Sequence, residues 1–397
     1  MIKMYTAFTS QIDDPQAAVR EILEQLRPEE NKLKNTIGII HFYYEFVETE
    51  VCKAIADALP FDVVGCVSSY VGAAGRYGDD ALIVTMLTGD DVDFIIRTIE
   101  GVSAKPADQT ADEITRMCAE LCAERKPKLL MPFLAMGSHF TGDNLADTIN
   151  ALPEPLPLFG TVAFNMSSPT GAHYTLINSS VSHDTLVFVA VFGDVEPKFH
   201  HTNAFIFDSN FISDYAEATE ASEAVLKSVN GISALKYLRE QGLINDDNES
   251  AMMWTIPAIL TYPNGTKVVR AFVGIVEGTE HVFATGSIKT GAKIKFAHLD
   301  NDSTIASAAR MIKDMAEAQN NDAIAYSCLA RAWSLGTNIF AEVQKIAECA
   351  EEYQNQNEKP FNYSLAYSGG EFCPTWDKDG KMINTLQNYT LTACTFS

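Results

Sequence analysis

Five stretches of the chain carry apolar residues at the spacing of one helix face. Ala18, Val19, Ile22, Leu23 and Leu26 form the first. Asp14 stands before it as an N-cap and Pro15 at the first helical position. Val51, Cys52, Ile55, Ala56 and Leu59 form the second, with Thr49 as its expected cap. The third is Ile114, Met117, Cys118, Leu121 and Cys122, and the fourth runs from Ile305 to Ala316. The fifth is Phe340, Val343, Ile346, Ala347 and Ala350. Between them lie short runs rich in Val, Ile, Leu, Phe and Tyr, which read as strands. These are 37–42, 63–67, 81–87, 129–136, 186–192, 268–275, 323–328 and 389–396. Strands interleaved with helices predict an α/β protein with layered mixed sheets built from repeated strand-helix-strand units.

The repeat is visible in the residues. Ala58-Leu59-Pro60 precedes Val63-Val64-Gly65-Cys66-Val67-Ser68, and Ala151-Leu152-Pro153 precedes Leu158-Phe159-Gly160-Thr161. In each unit the order is strand, helix, Ala-Leu-Pro, strand ending in glycine, loop, strand. A looser third copy runs from strand 323–328 to Leu365-Ala366-Tyr367-Ser368-Gly369-Gly370 and a last strand at 389–396. Residues 197–290 differ: strand candidates outnumber helices, Asn230-Gly231 and Asn264-Gly265 mark turns, and 233–240 suits one short helix. Gly193-Asp194 and Pro197 punctuate the change. Two packed halves are expected, 1–196 and 197–397, with no low-complexity linker between them.

Composition narrows the function. The chain has 397 residues, 47% of them hydrophobic and 20% charged, as in a globular protein. Its formal net charge of −23 repels a phosphate backbone, so nucleic acid and anionic membranes are poor partners. No run approaches the ~20 apolar residues of a membrane span. The N-terminus reaches Asp13-Asp14 without the apolar stretch of a secretory signal. Eight cysteines are too sparse for a disulfide scaffold, and a reduced, cytoplasmic protein is expected.

The chemistry gathers at three glycine turns expected after strands: Gly65 with Cys66, Ser68 and Ser69; Gly160 with Thr161; and Gly369-Gly370 with Glu371. A turn there either just bends the chain or turns backbone N–H groups toward a ligand. Recurrence in three units favours the second reading, because ligands of open α/β sheets sit at the carboxyl ends of strands. Gly72, Gly75 and Gly78 open no helix and are followed by Asp79-Asp80, which argues for a surface loop over a phosphate cradle. Cys118 and Cys122 lie in an apolar stripe and read as core. Cys66 and Cys328 end strands, where a thiol is either a small buried hydrophobe or a tuned nucleophile. The histidines make no metal signature, and no cofactor motif is present. A Cys–His pair of His139 with Cys66 or Cys328 is one option. Arg270, in an apolar strand, and Arg331, after Cys328, either pair internally, face solvent or grip a carboxylate. Glu371 could serve an ammonium group, so a zwitterion such as an amino acid suits the set.

In this ordered set the chain resembles the FIST family of sensory domains in signal transduction. Val63 to Ser68 and Gly160 resemble the N-terminal FIST block. The C-terminal block is resembled by Asn230, Gly231, Ala234 and Tyr237, by Arg270, by the turn from Gly286 to Gly291, and by Ser327-Cys328 with Arg331. Gly370-Glu371 and Asn388-Tyr389-Thr390 follow near the end. The resemblance implies a small-ligand sensor, with Gly65, Cys66, Ser68, Ser69, Gly160, Arg270, Cys328, Arg331, Gly370, Glu371 and Asn388 as the expected binding residues. It spans the chain and leaves no room for an output domain, so a signal would pass to a separate signalling protein or through a change of oligomer. A cysteine-dependent enzyme and a protein-interaction scaffold are the competing readings.

Overall fold

The computed structural model describes residues 2–396 except 138, 166, 168–172, 206, 246–254, 319–321 and 358–359. Three six-stranded sheets share one plan. Each has a parallel pair at its centre, in the first sheet Asn35–Phe42 beside Val63–Val67. In the second the pair is Leu129–Ala135 beside Gly160–Ala163, and in the third Asp322–Cys328 beside Asn362–Ser368. On one side of each pair lie two antiparallel strands: Leu82–Gly89 and Lys3–Thr9, Thr185–Gly193 and Val92–Glu100, or Thr390–Phe396 and Pro197–Asn203. On the other side lies a two-stranded hairpin.

The hairpins are exchanged in a closed cycle. The hairpin that follows Val63–Val67, formed by Val71–Ala73 and Arg76–Gly78, pairs with the third sheet. The one after Gly160–Ala163, Thr175–Ile177 with Ser180–Ser182, pairs with the first. The one after Asn362–Ser368, Glu371–Trp376 with Met382–Gln387, pairs with the second. Each unit thus completes its neighbour's sheet, and the three repeats of the sequence form one pseudo-threefold body. The glycine series 72, 75 and 78 belongs to the first exchanged hairpin.

The helices match the apolar stripes. Pro15–Leu26 starts on Asp14, whose carboxylate accepts from the backbone N–H of Ala17 at 2.9 Å. Asn301–Glu317 starts on Asp300 in the same way. Thr49 corrects an expectation: it closes the short helix Glu45–Glu48, and Val51–Ala58 begins from Glu50 in the left-handed region. Of the pair in the third helix, Ala107–Glu124, Cys118 is buried but Cys122 is exposed.

The third unit is interrupted between Pro197–Asn203 and its first helix by a further sheet of short strands. The apolar run 268–275 bends at Ala271 into Lys267–Arg270 and Phe272–Ile275, which form the two ends of that sheet's order. Two halves of one bent strand at opposite ends mean that the sheet curls into a barrel. Helix Ala234–Glu240 follows the Asn230-Gly231 turn and sets Leu235, Tyr237 and Leu238 against the barrel core. Among the described residues, no helix is long and apolar enough to cross a membrane.

Candidate functional site

Gly65 and Gly160 were expected at turns, and the structure places them in strands. Each presses on the backbone of its parallel neighbour. A Cβ at Gly65 would lie on the carbonyl oxygen of Ile40 and 2.9 Å from its nitrogen. One at Gly160 would lie on the carbonyl of Pro132 and 2.7 Å from its Cδ. Gly65 faces Leu176 and Gly160 faces Phe372 across the incoming hairpins. The matching residue of the third unit, facing Gly72, is Leu365. Gly369-Gly370 therefore lies beyond the position equivalent to Gly65, where the strand has ended.

At that level the three units do meet. The Ser68 hydroxyl lies 2.8 Å from the carbonyl oxygens of both Tyr70 and Tyr367. The Ser69 hydroxyl donates to the carbonyl of Phe164 at 3.3 Å, and the Asn165 amide donates to that of Ser68 at 2.9 Å. Gly369 N–H donates to Val162, whose own N–H donates to Gly370. Asn388 lies beside them. Its Nδ2 donates to the Gly369 carbonyl at 3.4 Å, and its Oδ1 accepts from the Thr285 hydroxyl of the barrel at 2.8 Å. Gly369, Met136 and Phe164 are half-buried, and Phe164 stacks near His173 and Trp333, with ring centroids 4.9 and 6.4 Å away. The three strand ends are thus joined by hydrogen bonds, with the half-buried rings of Phe164, His173 and Trp333 beside them.

Glu371, next in sequence to Gly370, is fully buried. Its two oxygens accept from Ser368 Oγ at 2.7 Å and Thr390 Oγ1 at 2.6 Å. Burial pushes its carboxyl up to about 8, and the hydroxyls and the Arg331 charge offset only part of that. At neutral pH Glu371 is therefore mostly a neutral acid, and one of the two hydroxyls must reverse to accept its proton. An unfolded Glu titrates near ~4.3, so between about pH 4.3 and 8 the folded state holds the extra proton. Stability contributed by this group is complete at acid pH and is lost as pH rises through 8. Glu371→Gln should flatten that slope in urea unfolding measured from pH 5 to 9; an unchanged slope would place its origin elsewhere.

The two arginines are committed to protein partners. Arg331, on helix Leu329–Ser334, is fully buried against the equally buried Glu342. Its Nε and Nη2 donate to Glu342 Oε1 at 2.8 and 2.5 Å, and Nη2 also reaches Ser307 Oγ and the Thr304 carbonyl. Ser327 and Tyr367 donate to the other Glu342 oxygen. Arg270 pairs with Asp143 at 2.7 Å and donates to the Leu386 and Val269 carbonyls. It fastens the barrel to the second sheet. Neither fork is turned toward a shared hollow. Arg270 lines a gap of about 50 Å³ between the barrel and helix Gly142–Asn150. The other expected binding residues line neither that gap nor the larger surface hollows of about 940, 540 and 490 Å³.

The cysteines lie elsewhere than the nucleophile reading requires. Cys66 and Cys328 are buried, and burial pushes both thiols well up; for Cys328 the nearby Glu371 adds to the shift. Cys66 does meet a histidine, but it is His41, with Nδ1 3.6 Å from Sγ. Burial holds that imidazole down to about 3, so the pair is neutral. His139 is exposed. Six cysteines are buried, Cys349 is half-buried and Cys122 exposed. A thiol reagent at pH 8 should modify Cys122 and then Cys349 in the folded protein, and the rest only on unfolding. Rapid labelling of Cys66 or Cys328 would restore the enzyme reading. Among the described residues no three His, Cys, Asp or Glu side chains are grouped as metal ligands.

Three partners were not singled out from sequence. Glu342 leaves a trace, since it falls on the apolar face one turn before Ile346. His41 shows only as a histidine inside the apolar run 37–42, and Asp143 leaves no trace.

A comparison with solved structures aligns the whole chain with 72% of PurLQS from Thermotoga maritima, at 9% identity and a TM-score of 0.21. That likeness carries no argument. No curated protein matches. Family models match the FIST N domain over residues 37–232 and the FIST C domain over 234–374. FIST domains are sensory domains of signal transduction. With both domains matched in order over most of its length, the chain belongs to the FIST family.

Proposed function

We propose that this protein is a stand-alone cytoplasmic sensor whose ligand, an amino acid or related small polar metabolite, binds where the three strand ends meet. The supporting observation is the hydrogen-bonded gathering of Ser68, Ser69, Asn388 and the Gly369-Gly370 backbone next to the buried Glu371 and the half-buried ring of Phe164. The long Asn388–Gly369 bond is the easiest of these to exchange for a ligand. The ligand's ammonium would take Glu371 as counter-ion and displace its proton, so affinity should rise with pH toward about 8. Its carboxylate would use the Asn388 amide and backbone N–H groups, because Arg270 and Arg331 already hold carboxylates of the protein. Cys66, Gly65 and Gly160 act in this reading by holding the strands in register beneath the site. Ordering of the ends of both halves, 1–196 and 197–397, is the signal passed to a partner protein or a second copy.

A thermal-shift screen against amino acids and small amines tests the proposal. A ligand at 100 times its dissociation constant should add about 2.7 kcal/mol, a shift of a few degrees. No shift with any amine or amino acid at millimolar concentration would overturn it.

A further inference from the structure

We infer that the barrel is a lid: it opens about the two chain crossings that join it to the body, and the Asp143 carboxylate clasps it shut over the strand-end site. The chain enters the barrel at Asn203-Ala204 and leaves it at Leu299-Asp300. These crossings lie side by side. Ser303 Oγ, on the helix that follows the exit, is 2.6 Å from the Ala204 carbonyl oxygen, and His298 N–H donates to the Asn210 carbonyl at 2.9 Å. Two adjacent crossings are the geometry of a hinge, because a few residues at element ends can absorb a rotation. The apolar core of the barrel is separate from those of the three sheets. Among the described residues a small cluster joins the two parts, in which Ala204, Phe205, Val269, Ala271 and Ala297 pack on Tyr389.

Beyond that cluster the contacts are polar. Asp143 receives Arg270 Nη2 on one oxygen and the Ser287 N–H on the other, each at 2.7 Å. Farther along, Lys378 N–H donates to the Asn264 carbonyl at 3.1 Å. Phe296, near the exit, lies level with Ala258 and Arg270 across the barrel strands, and the Asn264 turn is at the opposite end of those strands. The interface there is incompletely packed. Thr266, 2% exposed, lines the gap of about 50 Å³ with a hydroxyl in no hydrogen bond. A polar interface with an unsatisfied buried group favours motion of one part on the other. The lid covers the Asn388 end of the candidate site. Thr285 of the barrel donates to Asn388 at 2.8 Å, and Asn388, Ser68 and Ser69 are all more than nine-tenths buried. A metabolite therefore needs an opening, and a barrel that swings away frees Asn388. That step rests on the ligand reading; the opening itself does not.

Native-state amide hydrogen exchange followed by NMR tests the lid without any metabolite. The Ser287 and Lys378 amides bond across the interface and share no partner, so one opening should expose both with one protection factor. That factor should be lower than those of Ile259 and Leu260 inside the barrel sheet and of Ala204 and His298 at the crossings. Asp143→Asn removes the charge that holds Arg270, and should speed Ser287 and Lys378 together by about tenfold while the other four keep their rates. Asp147→Asn removes only an exposed pair with Lys289 and should leave both amides at the parent's rates. Faster exchange at Ser287 alone would mean a local bond lost, and equal acceleration across the barrel would mean unfolding; either overturns the lid. So would unequal protection of Ser287 and Lys378 in the parent, a result that does not depend on how the variant folds. The lid and the ligand reading fail separately. Coupled exchange with no hit in the thermal-shift screen supports the lid and removes the ligand, whereas a bound amino acid with uncoupled exchange overturns the lid alone.

Discussion

Arg331→Met alone should cost about 3–5 kcal/mol in urea unfolding, because it leaves the fully buried Glu342 carboxylate without its counter-charge. Ser327 and Tyr367 would still donate to that carboxylate, but hydroxyls supply no counter-charge. The double variant Arg331→Met/Glu342→Leu should recover most of the loss, since a buried pair replaced as a whole by apolar groups is often near neutral. Equal damage in single and double variants would mean that the guanidinium matters for its bonds to Thr304 and Ser307 rather than for Glu342. The experiment separates holding the third unit together from binding a ligand, two roles that the residue type alone cannot distinguish.

Gly65→Ala should be the most disruptive small substitution in the first sheet. A Cβ there overlaps the Ile40 carbonyl, with that carbonyl carbon at 2.7 Å, and neither strand can move away because both are central in the sheet. A loss of at least about 3 kcal/mol is expected, the upper end of overpacking in a core. Gly369→Ala is the control. Its nearest neighbour is the tip of the flexible Met136 side chain, with Phe164 Cβ next at 3.1 Å, so the loss should be smaller, about 1 kcal/mol. Comparable melting temperatures for the two variants would contradict the close-approach account of Gly65.

The contrast between these glycines explains how far the chain could be read before folding. Strand 63–67 and the helix started by Asp14-Pro15 follow from local pattern, and the structure reproduces both. So does the repeat, because each unit must bury the same apolar faces. The exchange of hairpins is not local. Val71–Ala73 is three residues long, and nothing in three residues specifies that they pair with Ser364–Ala366 nearly 300 positions away. A glycine that permits close strand contact also has the same letter as one that permits a turn, which is why Gly65 and Gly160 read as bends. In the candidate site, Ser68, Ser69, Gly370, Glu371 and Asn388 do come together. Arg270 and Arg331 were legible as charges that pair internally, face solvent or grip a carboxylate; Asp143 lies 127 positions from Arg270, and Glu342, 11 positions from Arg331, stands on a separate helix, so only folding reveals that both charges are already neutralised.

Titration calorimetry of the strongest amino acid or amine from the screen, at pH 6, 7 and 8, tests the central claim most directly. The account predicts affinity that strengthens with pH, proton release on binding at pH 7, loss of that release in Glu371→Gln, and at least tenfold weaker binding in Asn388→Ala. Binding that is independent of pH and indifferent to both substitutions would place the ligand elsewhere on the molecule and contradict it.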